Sequence, residues 1–147
     1  MASIDDARRL IQLDAGLATL SSVRPDGSVQ LTVVNAGIVV HPTTHDEVAA
    51  FVARSGTHKV DYLRAHPRTA LNWRAGWAWV TVEGTVELCG PDDPLKGVDD
   101  EAMRLLMRSI ARASGMDHDD WPEYDRVVAA ERRSAVLITP ERIYQNP

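Results

Sequence analysis

The sequence predicts an α+β domain built on a mostly antiparallel sheet, with helices packed around its edges. Two observations support this. Short strand patterns follow one another through tight turns, and amphipathic helical patterns lie mainly near the two ends of the chain. Strands joined by short turns are antiparallel, whereas a doubly wound sheet would need a helix between most pairs of strands. We expect residues 1–147 to form a single domain, because this length is enough for one core.

Composition excludes several classes of protein. The net charge of -5 argues against nucleic-acid binding through overall charge. No apolar run approaches the ~20 residues that a membrane span needs, and the first residues lack the charged and apolar regions of a signal peptide. Cys89 is the sole cysteine, so an internal disulfide is impossible. We therefore expect a cytoplasmic protein without membrane or nucleic-acid partners.

The first half of the chain predicts a helix and four strands. Ser3 can cap the first helix, and the Pro25-Asp-Gly27 sequence predicts a tight turn. Strand alternation places Val29, Leu31 and Val33 on one face of the second strand, and Gln30, Thr32 and Val34 on the other. The predicted elements are a helix over Ile4–Leu13 and strands over Leu17–Val23, Ser28–Val34, Ile38–His41 and Val48–Ala53.

The second half predicts three helices and three strands. Pro67 should close a helix that begins near Thr57, and Pro140 should end the last strand. An acidic loop over Gly115–Asp120 is interpreted as solvated. The predicted strands are Thr69–Trp73, Trp77–Cys89 and Ser134–Thr139, and the later helices are Asp99–Ala113 and Trp121–Arg133.

The strand Trp77–Cys89 carries different side chains on its two faces. Its alternate residues from Ala78 to Leu88 form a continuous apolar face, whereas Trp77, Trp79 and Thr81 lie on the opposite face. Such a strand is typical of one that is covered on both sides. We favour a partner subunit or a flat ligand as the second cover, and a second layer of the same core is the alternative.

The segment Arg54-Ser-Gly-Thr-His-Lys59 lies between an apolar strand and a helix. A helix N-terminus offers unpaired N–H groups and a partial positive charge, and Arg54 and Lys59 add two cations. The segment is therefore a candidate phosphate site. The alternative is an ordinary strand-to-helix turn, capped by Ser55 or Thr57, with two solvated cations.

No motif of a known catalytic machinery is present. The sequence lacks G-x-S-x-G, the P-loop, H-E-x-x-H and G-x-G-x-x-G. Cys89 is expected to be buried and inert. His41 and His45 have a spacing that suits a metal only on a helix, and Pro42 argues against a helix there, so we predict no metal site. No catalytic residue can be assigned, and reactive chemistry would have to come from a cofactor.

Four features, spread in order over nearly the whole chain, resemble a known family. The first feature is the hairpin Leu17–Ser21 with Pro25-Asp-Gly27 and Val29–Thr32, and the second is the run Lys59…Leu63-Arg64-Ala-His-Pro67-Arg68. The third is a strand that ends in Glu-Gly-Thr, Gly76-Trp77…Val82-Glu83-Gly84-Thr85. The fourth begins with the Trp-x-x-Tyr start of a helix, Asp120-Trp121-x-x-Tyr124…Arg132-Arg133…Thr139-Pro140-x-x-Ile143-Tyr144. Together they resemble the split β-barrel flavin and deazaflavin oxidoreductases, the pyridoxamine 5'-phosphate oxidase-like proteins. The fourth is most similar to an actinobacterial branch that uses the deazaflavin coenzyme F-420.

This resemblance implies an FMN-binding split barrel with peripheral helices, and a homodimer with two cofactor sites at its interface. The strand-to-helix turn would hold the cofactor phosphate, and the hairpin strand would lie near the ring system. The chain departs from the family pattern in two respects: the family often has an Arg where Thr57 stands, and an Arg-Asn pair where Asp61 and Tyr62 stand. Asp61 would repel a phosphate if it faced one. The implied cofactor-binding residues are Gln30, Thr32, Arg54, Ser55, Gly56, Thr57, Lys59 and Trp77.

The resemblance implies an oxidoreductase that transfers a hydride between reduced coenzyme F-420 and an unsaturated organic substrate. Two alternatives remain open at this stage. One is an FMN-dependent oxidase or reductase with the same fold, and the other is a non-catalytic protein that carries a flavin or deazaflavin. The substrate and the proton donor are not encoded in any motif that we can identify.

Overall fold

A computed structural model describes residues 1–147 and contains six strands and four helices. Every predicted helix is present, although α4 ends at Ala130 instead of Arg133. The elements in chain order are α1 (Ile4–Leu13), β1 (Leu17–Val23), β2 (Val29–Val40), β3 (Glu47–Ala53), α2 (His58–Ala65), β4 (Arg68–Ala75), β5 (Ala78–Cys89), α3 (Asp100–Ala113), α4 (Trp121–Ala130) and β6 (Ser134–Gln145).

The six strands close into an antiparallel barrel in the order β1-β2-β3-β6-β5-β4. The predictions of an antiparallel α+β fold and of a split barrel are therefore confirmed. The barrel is split along β2. This strand pairs with β1 from Val29 to Asn35, but it pairs with β3 only from Ala36 to Val40. The first half of β2 consequently has one edge without a partner strand.

Two strand assignments differ from the prediction by more than two residues. The segments Ser28–Val34 and Ile38–His41 are one strand, because Ala36 and Gly37 continue the ladder opposite Phe51 and Ala50. The small side chains suit this crowded part of the barrel, where Ala113 approaches Gly37 closely. The predicted gap between the second and third strands is therefore wrong.

The last strand does not end before Pro140, as the sequence predicted. Pro140 pairs with Gly84, and Arg142 pairs with Glu83, so Glu141 is an extra residue that forms a bulge. A bulge interrupts the regular ladder and is one of the places where a strand tolerates proline. The strand then continues to Gln145 beside β5.

Buried residues form two clusters on opposite sides of the sheet. The first fills the barrel, where Phe51, Leu71 and Val82 pack with residues of α1 and α2. The second lies outside β3 and β6, where α3 covers Val48 and Leu137 with Met107 and Ile110. None of the four helices combines the length and apolar character needed to cross a membrane.

A different part of the outer surface has no cover in this chain. Val29, Leu31 and Val33 all point outward, and Val33 is 68% exposed. Gln30, Thr32 and Val34 lie on the inner side, opposite Ser22, Leu20 and Ala18 of β1. The sequence grouped these residues on the correct faces, but the apolar face is the outer one.

The two faces of β5 follow the predicted alternation. Val80, Val82 and Val86 line the barrel interior. On the outer face, Trp79 packs edge-on against Tyr144 with ring centroids 6.1 Å apart, and Thr85 is exposed.

Candidate functional site

The turn from β3 into α2 contains most of the predicted phosphate-binding residues. Thr57 occupies the N-cap position of α2, but its hydroxyl donates to the Arg54 carbonyl at 3.2 Å instead of capping the helix. Gly56 lies in the left-handed region with φ of +81°, which glycine adopts without strain. The first N–H groups of α2 therefore donate no hydrogen bond to the side chain of the cap residue and can bind an anion.

A cavity of about 840 Å³ opens beside this turn, where β2 runs past the end of β3. Arg54, Thr57 and Lys59 line it together with the β2 segment 33–35. The far side is formed by α3, α4 and the loop between them. The barrel thus brings three of the predicted site residues to the edge of one cavity at the split.

The cations of this cavity differ in how far they are neutralised. Arg54 and Arg133 both pair with Glu131, at Nε–Oε2 distances of 3.4 and 2.7 Å. These arginines, Arg133 foremost, hold the pKa of Glu131 below its ordinary value. Lys59 is half-buried, lines the cavity and forms no ion pair. Its ammonium group is therefore free to bind an anion.

Asp61 does not line this cavity. Its carboxylate accepts a hydrogen bond from Arg64 Nη1 at 2.9 Å, and Arg64 also binds Asp93. Tyr62 stacks on His58, with ring centroids 6.0 Å apart. Asp61 and Tyr62 therefore make contacts away from the candidate anion site, whereas Thr57, the other departure from the family pattern, lines it.

Ser55 and Gly56 are exposed residues that do not line the cavity. The Ser55 hydroxyl donates to Asp92 Oδ2 at 3.2 Å, and Arg132 binds the same carboxylate. The Ser55 N–H also donates to the Glu131 carbonyl at 3.4 Å. These contacts attach the β3–α2 turn to the turn that follows α4, so Ser55 has a structural role here.

Gln30 and Thr32 lie on the half of β2 that has no partner on one edge. Neither lines the cavity, but the same stretch supplies Val33, Val34 and Asn35 to it. The Thr32 hydroxyl is buried and has no hydrogen-bond partner. Because buried polar atoms in proteins are nearly always bonded, this orphan atom fits a polar group supplied by a ligand. The free strand edge offers further N–H and C=O groups.

Trp77 is not brought to the cavity of its own chain. It lies in the turn between β4 and β5 and is 93% exposed. Its carbonyl accepts a hydrogen bond from Asn146 Nδ2 at 3.1 Å, which anchors the turn but leaves the indole ring free.

Several cavity residues were not predicted from the sequence. Arg133 was assigned to a helix end, and the acidic loop after α3 was interpreted as solvated, yet His118, Asp119 and Asp120 line the cavity. His118 packs on Tyr124, with ring centroids 4.6 Å apart. The one available signal was the Trp-x-x-Tyr pattern, which marks the helix that closes this side.

Two residues considered for chemistry have structural surroundings. Cys89 is fully buried, and burial raises the pKa of its thiol. His41 is also buried. Its Nε2 contacts Glu87 Oε1 at 2.9 Å, and its Nδ1 accepts from the N–H groups of Thr43 and Thr44 at 3.2 Å. Nδ1 of His41 therefore stabilises the β2–β3 turn, and Nε2 links this turn to β5.

Comparisons with known proteins agree with this architecture. Residues 4–146 match the family model described as pyridoxamine 5'-phosphate oxidase. Among solved structures, a pyridoxamine 5'-phosphate oxidase-related, FMN binding protein from Nostoc punctiforme aligns with a TM-score of 0.69 at 15% identity, over 97% of this chain and 80% of its own.

Two further structures share the fold at similar levels of sequence identity. The conserved hypothetical protein Rv2991 from Mycobacterium tuberculosis aligns with a TM-score of 0.67 at 18% identity, over 99% of this chain and 84% of its own. An F-420 reductase aligns with a TM-score of 0.58 at 17% identity, over 87% of this chain and 88% of its own. At these identities the structural likeness establishes the fold alone, whereas the family model spans nearly the whole sequence. The chain belongs to the pyridoxamine 5'-phosphate oxidase family.

Proposed function

We propose that this protein is a reductase that transfers a hydride between the deazaflavin coenzyme F-420 and an unsaturated organic small molecule. The observation that carries the proposal is the cation-lined cavity at the split of the barrel. It combines the uncapped N-terminus of α2 with Thr57 and the unpaired Lys59. This is the chemistry that binds a phosphate group.

The chain's own residues would hold the cofactor at two places. Lys59, Thr57 and the N–H groups of α2 would bind the phosphate, and Arg54 would add a second cation. Gln30, Thr32 and the unpaired edge of β2 would contact the ring system, where the buried Thr32 hydroxyl lacks a partner. Ser55 and Gly56 would shape the phosphate turn without binding the phosphate through their side chains.

When bound, the deazaflavin would supply the hydride, since its reactive ring position is a carbon that favours two-electron transfer. The protein would orient the ring and the acceptor relative to each other. No side chain of the cavity is assigned as proton donor, and water could supply the proton.

The uncovered outer face supports a homodimer. Val29, Leu31 and Val33 form an exposed apolar row, and Trp77 is exposed on the β4–β5 turn. A second copy would cover this row and could bring its own Trp77 near the cofactor of the first. We further propose a cytoplasmic location and an actinobacterial source; the F-420 reductase and the mycobacterial protein among the structural neighbours support this branch.

FMN is the second candidate cofactor. The FMN binding protein from Nostoc punctiforme has a higher TM-score than the F-420 reductase, 0.69 against 0.58. Both cofactors carry a phosphate, so the proposed anion site does not discriminate between them. The difference would arise at the ring system.

Parallel fluorescence titrations with F-420, FMN and riboflavin would test the proposal. We expect micromolar or tighter binding of F-420, weaker binding of FMN, and poor binding of riboflavin, which lacks the phosphate. Turnover with unsaturated acceptors should follow. Tight F-420 binding without turnover of any acceptor would favour a carrier protein, and no binding of either phosphate-bearing cofactor at high micromolar concentration would rule the proposal out.

Lys59→Ala tests the site itself. Removing the ammonium should weaken phosphate-bearing cofactors by roughly 1.5–3 kcal/mol, the value of a hydrogen bond to a charged group. Lys96→Ala is the matched control, because Lys96 is the other lysine of the chain and lies exposed on the loop between β5 and α3. Equal affinities for both variants would move the phosphate site elsewhere.

A further inference from the structure

Glu131 occupies a special position beside the cavity. Its carboxylate lies between the guanidinium groups of Arg54 and Arg133, at 3.4 and 2.7 Å from their Nε atoms. Both arginines line the cavity, whereas Glu131 itself does not. Two of the three cations on this side therefore present guanidiniums that are already bound to an internal carboxylate.

The position of Glu131 is set by the turn that carries it. It is the C-cap residue of α4, and its carbonyl accepts from the Ser55 N–H at 3.4 Å. The next residue, Arg132, has a φ of +48°, an uncommon conformation for a residue other than glycine. These constraints hold the carboxylate behind the cationic side of the cavity.

The acidic residues that line the cavity form no ion pair with its arginines. Asp119 forms no ion pair. Asp120 accepts from the Glu123 N–H at 3.1 Å and so caps α4. Glu123 in turn pairs with Arg126, which does not line this cavity. Glu131 is thus the carboxylate that neutralises the cavity's own arginines.

We propose that Glu131 is an internal counter-ion that competes with anionic ligands for Arg54 and Arg133. An anion entering the cavity would take over guanidinium donors that Glu131 now occupies, and Arg133 would be a binding residue that the carboxylate masks. The inference rests on the proposed anion site, and it adds a determinant of affinity that opposes binding. A guanidinium can serve two acceptors, but a second negative charge at this range still costs free energy.

Glu131→Gln is the deciding variant. It removes the charge and keeps the side-chain size and an acceptor oxygen. We expect F-420 and FMN to bind about three- to tenfold more tightly, since about 1.4 kcal/mol corresponds to tenfold. Riboflavin, which has no phosphate, should bind unchanged. Glu101→Gln is the control, because it removes one charge from an exposed pair with Arg104 on α3.

Arg133→Met should change the affinity for phosphate-bearing ligands in the opposite direction. If Arg133 is a masked binding residue, this variant should bind phosphate-bearing ligands about three- to tenfold more weakly. A purely structural ion pair would behave differently, because both variants would then lower the melting temperature and weaken binding together. Circular dichroism and thermal unfolding of both variants identify any loss of fold.

The outcomes separate this inference from the proposed function. Wild-type binding of F-420 or FMN with unchanged or weaker binding by Glu131→Gln would overturn the inference and leave the proposed function intact. If the wild type bound neither cofactor, the proposed function would fail. Stabilisation by inorganic phosphate would then decide the inference, since a ligand raises stability by RT ln(1 + [L]/Kd). A larger thermal shift for Glu131→Gln than for the wild type would support it, and an equal or smaller shift would overturn it.

Discussion

The two halves of β2 have the same strand geometry and opposite surroundings. The second half, Ala36–Val40, pairs with β3 and is largely buried, with Ala36 completely so. The first half, Val29–Asn35, has a free edge and an exposed apolar outer row. One half closes the barrel, and the other leaves it split.

This contrast shows that apolar side chains do not by themselves identify the core. Val29, Leu31 and Val33 are as apolar as residues of the barrel interior, yet they point away from it. The polar Gln30 and Thr32 point inward at the split. A row of exposed apolar residues beside a polar inner face is typical of a strand that serves an interface and a ligand site.

The largest effect on stability should come from the contact between β3 and the paired half of β2. Phe51 lies opposite Ala36 and is 1% exposed. Phe51→Ala should lower the free energy of unfolding by about 3–5 kcal/mol, because it removes a large buried side chain and leaves a cavity. Urea unfolding measures the change. Val33→Ala on the unpaired half is the control and should cost less than about 0.5 kcal/mol; similar losses for both variants would contradict the distinction between the halves.

A smaller effect on stability is expected where α3 crosses the paired half of β2, Ala36–Val40. A β-carbon added at Gly37 would lie 2.5 Å from the Ala113 carbonyl carbon, closer than van der Waals contact allows. Gly37→Ala should therefore destabilise the protein by about 1–3 kcal/mol, the usual cost of overpacking. Thermal unfolding would check this. A neutral or stabilising result would mean that α3 moves freely relative to β2.

The attachment of α4 to α3 gives a pH-dependent test. Arg108, and then Arg104, lowers the pKa of Asp125, whose carboxylate lies 3.0 Å from Arg108 Nε. A lowered pKa contributes stability that is complete above the unfolded-state pKa of about 3.9 and is lost as pH falls from there through the folded-state pKa. Asp125→Asn should lower the free energy of unfolding by about 1 kcal/mol at pH 7. Below the folded-state pKa of Asp125, the variant and the wild type should be equally stable. Denaturation curves at pH 7 and below pH 4 would measure both, and an equal deficit at all pH values would contradict the assignment.

The smallest effect on folding should come from the unpaired half. Leu31 is 66% exposed, so Leu31→Glu should change the free energy of unfolding of the monomer by less than about 0.5 kcal/mol. If the apolar row is the dimer interface, the same change should dissociate the dimer, as light scattering would show. Lys96→Glu places the same side chain on an exposed loop, with a larger change in net charge, and should leave the molecular mass unchanged. A dimeric Leu31→Glu protein would place the interface elsewhere.

Sequence patterns predicted the helices closely and the strands less well. The cap at Ser3 and the periodicity after it defined α1 correctly, because those signals are local. The end of β6 and the continuity of β2 were predicted wrongly, because a bulge at Glu141 and the pairing of Ala36 and Gly37 with β3 depend on residues far along the chain. The candidate site shows the same division. Arg54, Thr57 and Lys59 are close in sequence and were found together, whereas Arg133 was missed.

By itself, the sequence determined the helix-forming and strand-forming segments, the antiparallel class and the cationic turn after β3, because hydrophobic period, turn chemistry and nearby charges are local properties. Only the tertiary structure decided which face of β2 is solvent-exposed and which distant residues join the cationic turn. Closing the barrel in the order β1-β2-β3-β6-β5-β4 places β6 beside β3. That pairing brings Glu131 and Arg133, nearly eighty residues away along the chain, against Arg54. Contacts of this kind depend on strand pairing across the whole molecule, and no local pattern encodes them.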